Sequence, residues 1–257
     1  MNDDKIRGQY LRKFQPKEYQ GVISVLTGPH SFYQKELHSI FNSPVSDSWR
    51  TLLDVGCGPT VANVFPATRK IDNIVLGDLV PSNREEVEKW ILKAPDAMDW
   101  SFMSEPLAIL EGYKDAKEGA KDIEDRTRAA VKKVVPCDVL DPNVLPEEHK
   151  QAFDVVTSSL CLTIASRDQE TFRRVVRNVS GLVRKGGHLI LCDFTGSSAY
   201  AVAGVKFPML SLTKAALEDA LSRSGLQVNR WRSLDMPAGS DIPNHWDFQF
   251  VLVAEKL

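Results

Sequence analysis

Two glycines and an acidic residue stand in this chain at the spacing of a nucleoside site. Gly56 and Gly58 follow the apolar run at 52–55, and Asp78 ends the next apolar run along the chain. Glycine lets a backbone loop approach a ligand closely, and the two oxygens of a carboxylate suit the two hydroxyls of a ribose. Because ligands of open parallel sheets bind beyond the carboxyl ends of the strands, this spacing predicts a nucleoside crevice at that edge.

The glycine loop departs from the pattern that binds dinucleotides. That pattern has a third small residue, which lets the following helix pack closely beside the pyrophosphate, whereas Val61 stands at that position here. The loop also lacks the lysine of a phosphate-binding Gly-Lys-Ser sequence. Both departures favour a nucleoside without phosphates, such as S-adenosylmethionine, over NAD.

Two further acidic residues end later apolar runs. Asp138 can accept a hydrogen bond from the amino group of adenine, and the N–H of Val139 can serve a ring nitrogen. Asp193 ends the run that begins at His188, so it faces the same crevice on the side of a second substrate. A turn-forming role before Gly196 stays open for Asp193 at this point.

Apolar runs alternate with amphipathic stretches, which predicts an α/β fold with a mainly parallel sheet. The last two strands are joined by residues 235–246, too short a connection for a crossover helix, so we expect them to pair antiparallel. A reversed last strand is typical of methyltransferases that use S-adenosylmethionine and not of dehydrogenases. The predicted strands are 51–55, 73–78, 132–137, 153–158, 188–193, 227–233 and 248–254.

Three helices are predicted from their apolar spacing and end signals. The first covers 169–184 and is stopped by the glycines of 185–187. The second begins at about Ser82, with Glu85 completing a capping box, and the third covers 213–224. Together with the strands they predict a single domain over 1–257. The predicted domain has an N-terminal cap at 1–50, a Rossmann-like core at 51–257 and a charged helical insertion at about 96–130.

The composition excludes several classes of partner. The 257 residues carry a net charge of −2, without the clustered basic excess of a nucleic-acid surface. No stretch approaches the roughly 18 uninterrupted apolar residues of a membrane span, and the N-terminus is polar. The four cysteines form no Cys-x-x-Cys pair, which favours reduced thiols over a metal site. We expect a cytoplasmic protein without metal, nucleic-acid or membrane partners.

The motifs of the chain resemble those of one family almost from end to end. The family is that of small-molecule N-methyltransferases, which includes nicotinamide, phenylethanolamine and indolethylamine N-methyltransferases, and the nicotinamide enzyme is the most similar. The matching segments are Tyr10-Leu11-x-x-Phe14-x-Pro16-x-x-Tyr19, Asp54-Val55-Gly56-Cys57-Gly58-Pro59-Thr60, Glu88-Lys89-Trp90, Asp99-Trp100, Cys137-Asp138-Val139, Ser159-Leu160-Cys161-Leu162 and Lys185-x-Gly187.

The resemblance implies a class I methyltransferase fold, S-adenosylmethionine as cofactor, a monomer, and methyl transfer to the nitrogen of a small aromatic substrate. Nicotinamide or a related pyridine is the first expectation for that substrate. Implied cofactor residues are Tyr10, Tyr19, Gly56, Cys57, Gly58, Thr60, Asp78, Asn83, Asp138, Val139 and Ser159. Implied substrate residues are Leu160, Asp193, Ser197 and Tyr200, with Asp193 and Tyr19 as the candidates for catalytic roles.

Three positions depart from the family pattern and leave the acceptor open. Ala62 replaces an aromatic residue after the glycine loop, Ser24 replaces a tyrosine of the cap, and Pro208-Met209 replaces a second substrate hydroxyl. An arylalkylamine is therefore the alternative acceptor. A NAD-dependent oxidoreductase and a catalytically silent relative are the remaining alternatives.

Overall fold

The computed structural model describes residues 3–25, 27–235 and 247–257. Seven strands form one sheet in the order β3-β2-β1-β4-β5-β9-β8. The first five pair parallel, and β9 pairs antiparallel with both β5 and β8. The strands are β1 (Thr51–Val55), β2 (Asn73–Asp78), β3 (Val131–Pro136), β4 (Phe153–Ser159), β5 (Val183–Phe194), β8 (Leu226–Asp235) and β9 (Phe248–Lys256). The predicted α/β class and the reversed last strand are confirmed.

The central strands form where they were predicted because both faces of the sheet are buried. Side chains of successive residues point to opposite faces, so Leu52 packs into one apolar layer while Leu53 and Val55 pack into the other. All three are fully buried. Strands buried on both faces appear in a sequence as continuous apolar runs, which is the signal that the prediction used.

Eight helices of the described chain surround this sheet. Three precede β1 and belong to the predicted cap, two form the charged insertion, and the others connect strands. They are α1 (Asp3–Lys13), α2 (Pro16–Val25), α3 (Thr27–Phe41), α4 (Pro81–Ile91), α5 (Ser101–Leu110), α6 (Ala116–Ala130), α7 (Gln169–Ser180) and α8 (Lys214–Arg223). Within the described ranges, no helix is both long and apolar enough to cross a membrane.

The prediction of α7 was wrong at its C-terminal end. The helix stops at Ser180, and β5 begins at Val183, so the glycines of 185–187 lie within a strand. The carbonyl of Leu182 accepts a hydrogen bond from the N–H of Phe153 at 2.8 Å. The apolar residues Leu182 and Val183, which continue the helical spacing in the sequence, therefore contact β4 and do not extend the helix.

The predicted capping box of α4 was also wrong. Its N-cap is Val80, with Pro81 at the first helical position and no side-chain cap. The side-chain contact at this end comes from the preceding strand β2, where Asp78 Oδ1 accepts from the N–H of Val80 at 2.8 Å. In α8, by contrast, a side chain does cap the helix, since the hydroxyl of Thr213 accepts from the N–H of Ala216.

A small hairpin beside the main sheet was not predicted. Its strands are β6 (Ala199–Val202) and β7 (Val205–Pro208), which pair antiparallel. The two residues between them, Ala203 and Gly204, have φ values of 50° and 74°, as in the tight turns that suit the twist of a hairpin. Strands of four residues are too short for a clear alternating pattern, so the sequence alone did not reveal them.

Candidate active site

A cavity lies at the carboxyl ends of the parallel strands, where the sequence predicted a nucleoside crevice. Its empty space, counted to the open mouth, is about 1420 Å³. The cavity brings together most of the predicted site residues. Those lining it are Tyr10, Tyr19, Gly56, Gly58, Asp78, Asn83, Asp138, Val139, Ser159, Leu160 and Tyr200.

The glycine loop after β1 requires glycine at its first position. Gly56 has a φ of 69°, and its N–H donates to the carbonyl of Gly77 at 2.8 Å, which folds the loop against β2. A Cβ atom at Gly56 would lie 2.2 Å from the Sγ of Cys161, a distance that no side chain can occupy. Gly58 has a φ of 65° and donates its N–H to Asp78 Oδ2 at 2.8 Å. The loop is thereby fixed to the carboxylate behind it.

Asp78 and Asn83 form the polar base of the cavity. Asp78 is buried, and burial raises the pKa of its carboxyl group, while hydrogen bonds from Val80, Asn83 and Gly58 oppose that rise. Its three hydrogen bonds leave about one of its four lone-pair positions open, on Oδ2. Among the described residues, the buried Oδ1 of Asn83 has no partner. Asp78 Oδ2 and Asn83 Oδ1 thus present two acceptors at one place, which is what a ribose diol requires.

An ion pair joins the cap to the core at the wall of the cavity. Asp138 accepts from the N–H of Leu140 through Oδ1 at 3.0 Å and from Nε of Arg7 through Oδ2 at 2.5 Å. Arg7 lies on α1 and lines the cavity. Sequence reasoning missed Arg7, because a single arginine in a charged helix carries no motif.

Aromatic residues join the cap to the β6–β7 hairpin. The hydroxyls of Tyr10 and Tyr200 are 3.0 Å apart, and the ring of Phe207 lies 4.8 Å from that of Tyr10 and 5.4 Å from that of Tyr200. Phe14 extends this cluster, because its ring lies 5.8 Å from that of Phe207 and 5.3 Å from that of Tyr19. Burial raises the pKa of the Tyr10 and Tyr19 hydroxyls, so both are neutral hydrogen-bonding groups.

Asp193 and Ser197 do not line the cavity. Asp193 is opposite Phe250 in the β5–β9 pairing, whereas the next pair, Phe194 and Gln249, contributes to the lining. Asp193 accepts from the hydroxyl of Thr163 at 2.7 Å, and burial raises its pKa to about 7. The hydroxyl of Ser197 donates to the carbonyl of Ala199 at 2.8 Å. Their contact with a substrate, which the resemblance implied, stays a prediction.

A side pocket beside the glycine loop takes in other predicted residues. Cys57 and Thr60 lie there, together with Ala62, one of the three departures from the family pattern. Tyr19 and Ser159 line both this pocket and the main cavity. The other departures lie elsewhere: Ser24 is exposed, and Met209 lines the main cavity. Among the described residues, no cluster of side chains suits a metal ion.

Comparison with known proteins identifies the family to which this sequence belongs. The sequence matches the model of the NNMT/PNMT/TEMT family over residues 6–257. The chain belongs to this family. It is 32% identical to human nicotinamide N-methyltransferase over 254 residues, 96% of this chain and 95% of that protein. It is 33% identical to human phenylethanolamine N-methyltransferase over 193 residues, 74% and 67% of the two chains. It is 29% identical to mouse indolethylamine N-methyltransferase, over 96% of this chain and 94% of that protein.

Solved structures of low sequence identity share the fold. A methyltransferase from Leishmania major, described as dependent on S-adenosylmethionine, superposes with a TM-score of 0.63 at 12% identity, covering 98% of this chain and 82% of that one. Magnesium protoporphyrin IX methyltransferase from Synechocystis, solved with bound S-adenosylhomocysteine, superposes with a TM-score of 0.60 at 13% identity over the whole of both chains. The predicted class I fold is confirmed. Family membership confirms the predicted enzyme class, an S-adenosylmethionine-dependent N-methyltransferase.

Proposed function

We propose that this enzyme methylates the nitrogen of a small aromatic acceptor, nicotinamide or a related pyridine, with S-adenosylmethionine as cofactor. The observation that carries the proposal is the form of the cavity. Its cofactor end offers paired acceptors at Asp78 and Asn83, and its other end is apolar and aromatic. We call this second region the acceptor end and define it as Leu160, Ile164, Ala165, Phe194, Tyr200, Met209 and Gln249.

The residues of the cofactor end fit the proposed nucleoside. Asp78 and Asn83 would hold the ribose, Asp138 and Val139 the adenine, and Tyr10, Tyr19 and Ser159 the methionine end. The main chain of residues 56–58 and the side chain of Thr60 would also contact the methionine end. When bound, S-adenosylmethionine supplies a sulfonium methyl group, and the acceptor nitrogen forms its N–C bond as the C–S bond breaks. The protein contributes by alignment, which can supply about 7 to 11 kcal/mol of the barrier.

The chemistry of the acceptor end favours a pyridine. A neutral pyridine nitrogen attacks through its lone pair and has no proton to lose. Within the described structure, no carboxylate or histidine belongs to the acceptor end, and burial raises the pKa of the Cys161 thiol and the Tyr200 hydroxyl beside it. An acceptor that needs no general base therefore suits this site best.

One observation supports an arylalkylamine as the second candidate. An ammonium group must lose a proton before it can attack, and a base with a pKa near neutrality serves that purpose. Asp193 has a pKa of about 7 and is hydrogen-bonded to Thr163, next to Ile164 of the acceptor end. Asp193 would then receive the proton through the hydroxyl of Thr163.

We further propose that the whole chain acts as one domain and as a monomer in the cytoplasm, without a nucleic-acid partner. The cap supports the single-domain proposal, because its residues Arg7, Tyr10 and Tyr19 complete a cavity that the core forms at its strand ends. Light scattering checks the monomer: the expected mass is that of one chain, 28.7 kDa.

Methylation with radiolabelled S-adenosylmethionine tests the proposed acceptor. Nicotinamide, quinoline, tryptamine and phenylethanolamine would be compared at equal concentrations with the full chain. Label transfer to nicotinamide and quinoline, with little to the two amines, is the expected result. Transfer to the amines alone would reject the pyridine and favour the second candidate.

A further inference from the structure

Gln249 is a buried polar residue whose side chain makes no hydrogen bond to the described part of the chain. It lies on β9, is 1% exposed, and lines the cavity. Within the described ranges, its Oε1 has no hydrogen-bond partner, and no hydrogen bond from its Nε2 is found either. Buried polar side chains are nearly always hydrogen-bonded, so such an atom beside a cavity points to a missing ligand.

Three other polar side chains near the acceptor end are already engaged. The Tyr200 hydroxyl is paired with that of Tyr10, and Asp193 is held by Thr163 and by the N–H of Phe194. The hydroxyl of Ser197 donates to the backbone carbonyl of Ala199. The remaining members of the acceptor end are apolar, so among the described residues Gln249 is the member of this end with free hydrogen-bonding capacity.

The register of the sheet explains this difference between neighbours. Gln249 is directly opposite Phe194, while Phe250 is opposite Asp193. Successive side chains on a strand point to opposite faces, so Phe194 and Gln249 share a face that Asp193 does not. The carboxylate that the family pattern suggests for the substrate therefore lies on the other side of β5 from the open carboxamide.

We propose that Gln249 selects the acceptor by binding a primary carboxamide on its aromatic ring. This inference rests on the proposed function. A carboxamide has one acceptor oxygen and two N–H donors, so two carboxamides can exchange a pair of hydrogen bonds. Gln249 would accept from the substrate N–H through Oε1 and donate to the substrate carbonyl through Nε2. The apolar residues around it would hold the ring.

A pair of pyridines that differ in one group tests the inference. Nicotinamide carries a carboxamide, and 3-acetylpyridine has nearly the same shape and the same carbonyl but no N–H. The wild-type enzyme should favour nicotinamide in kcat/KM by about tenfold to a hundredfold, because the analogue leaves the buried Oε1 unpaired. The same order should appear in the Kd values of the two pyridines, measured by calorimetry in the presence of S-adenosylhomocysteine.

The variant Gln249→Met keeps the length of the side chain and removes its hydrogen bonds. It should lose most of the preference for nicotinamide over 3-acetylpyridine while retaining the affinity for S-adenosylhomocysteine. Gln227→Met, on the exposed part of β8, is the matched control and should behave as wild type. If Gln249→Met fails to fold, Gln249→Leu, which also lacks the hydrogen-bonding groups, serves for the same comparison.

The outcomes separate this inference from the proposed function. Equal use of both pyridines by the wild type, or an unchanged preference in a folded Gln249→Met, overturns the role of Gln249 and leaves the proposed function intact. A loss of the preference in Asp193→Asn but not in Gln249→Met assigns the carboxamide to Asp193 instead. If the enzyme binds S-adenosylhomocysteine but methylates neither pyridine, the proposed acceptor is rejected. The proposed role of Gln249 is then rejected as well.

Discussion

Asp78 connects the glycine loop to the start of α4 and faces the cavity. In Asp78→Asn, one oxygen becomes an NH₂ group, which cannot accept from the N–H of Gly58 or Val80 and cannot accept from a ribose hydroxyl. Losing a charged acceptor costs about 1.5 to 3 kcal/mol, so the Kd for S-adenosylhomocysteine should rise about tenfold to a hundredfold. Calorimetry measures this Kd.

The matched control for this prediction is Asp72→Asn. Asp72 is exposed and directly precedes β2, so its substitution changes the same charge without touching the cavity. It should leave the Kd unchanged. Equal affinities in wild type and Asp78→Asn would contradict the cofactor role of Asp78.

Asp193 should make the stability of the fold depend on pH. Burial raises its pKa from 3.8 to about 7, so the folded state keeps a proton that the unfolded state releases above about pH 4. The free energy of unfolding therefore falls as the pH rises from about 4 to 7. Asp193→Asn removes this penalty and should gain up to about 4 kcal/mol over wild type at pH 8, with little gain at pH 4.

Urea denaturation of the two proteins between pH 4 and 8 measures this difference. Asp54 is also buried and has a pKa of about 7, but it is present in both proteins, so their difference isolates Asp193. A gap between the two stabilities that does not change with pH would show that Asp193 is not a buried acid with a raised pKa.

Single residues were predictable from the sequence where a strand end fixed their position. Gly56, Gly58 and Asp78 follow or end apolar runs, and all three line the cavity as expected. Which face a strand residue takes depends on register, which the sequence of one strand does not give. That is why Asp193 was placed at the crevice while Gln249, one strand away, was overlooked.

At the scale of elements, α1 is held to the β6–β7 hairpin and to the end of β3. The contact with the hairpin includes the Tyr10–Tyr200 hydroxyl pair and a hydrogen bond from the Gln9 side chain to the carbonyl of Lys206. Tyr10→Phe removes one hydroxyl and leaves Tyr200 unpaired, at a cost of about 0.5 to 1.5 kcal/mol. We expect S-adenosylhomocysteine to dissociate about two- to tenfold faster, as measured by stopped-flow displacement.

Tyr113→Phe provides the control for the cap. The Tyr113 hydroxyl donates to Asp122 on the exposed charged insertion, away from the cavity. Its removal should leave the dissociation rate unchanged. The proposed closing contact of the cap is refuted if Tyr10→Phe and Tyr113→Phe release the ligand at the same rate as wild type.

The turn of the β6–β7 hairpin holds Ala203 in a left-handed conformation that favours glycine and asparagine. Ala203→Asn gives the Asn-Gly sequence that this turn prefers and should stabilise the fold by about 0.5 to 1 kcal/mol. At the next position, Gly204→Ala places a side chain at a φ of 74° and should destabilise the fold. Thermal unfolding measures both, and a lower stability in Ala203→Asn would exclude this turn geometry.

Elements were predictable where their signal was local. The five parallel strands and the last pair came from apolar runs bounded by turns, and α8 came from its apolar spacing and a terminal glycine. The end of α7 was not predictable, because Leu182 and Val183 fit the helical stripe, and only the pairing of Val183 with β4 makes it the first residue of β5. Tertiary pairing outweighed the local pattern there.

At the scale of the whole molecule, one cavity unites segments that are far apart in the sequence. Arg7 of the cap pairs with Asp138 after β3, and Gln249 of the last strand lies opposite Phe194. The cofactor end is formed mainly by the first half of the chain and the acceptor end by the second half. This division predicts that a nucleoside and an aromatic ring bind side by side, as methyl transfer requires.

Transfer of a methyl carbon to the ring nitrogen is the central claim, and isotope tracing tests it most directly. The enzyme would be incubated with nicotinamide and S-adenosylmethionine carrying ¹³C in the methyl group, and the product examined by NMR. We predict one ¹³C-methyl group on the ring nitrogen for each S-adenosylhomocysteine formed. S-adenosylhomocysteine without labelled pyridine, or the label on any atom other than the ring nitrogen, would contradict the account.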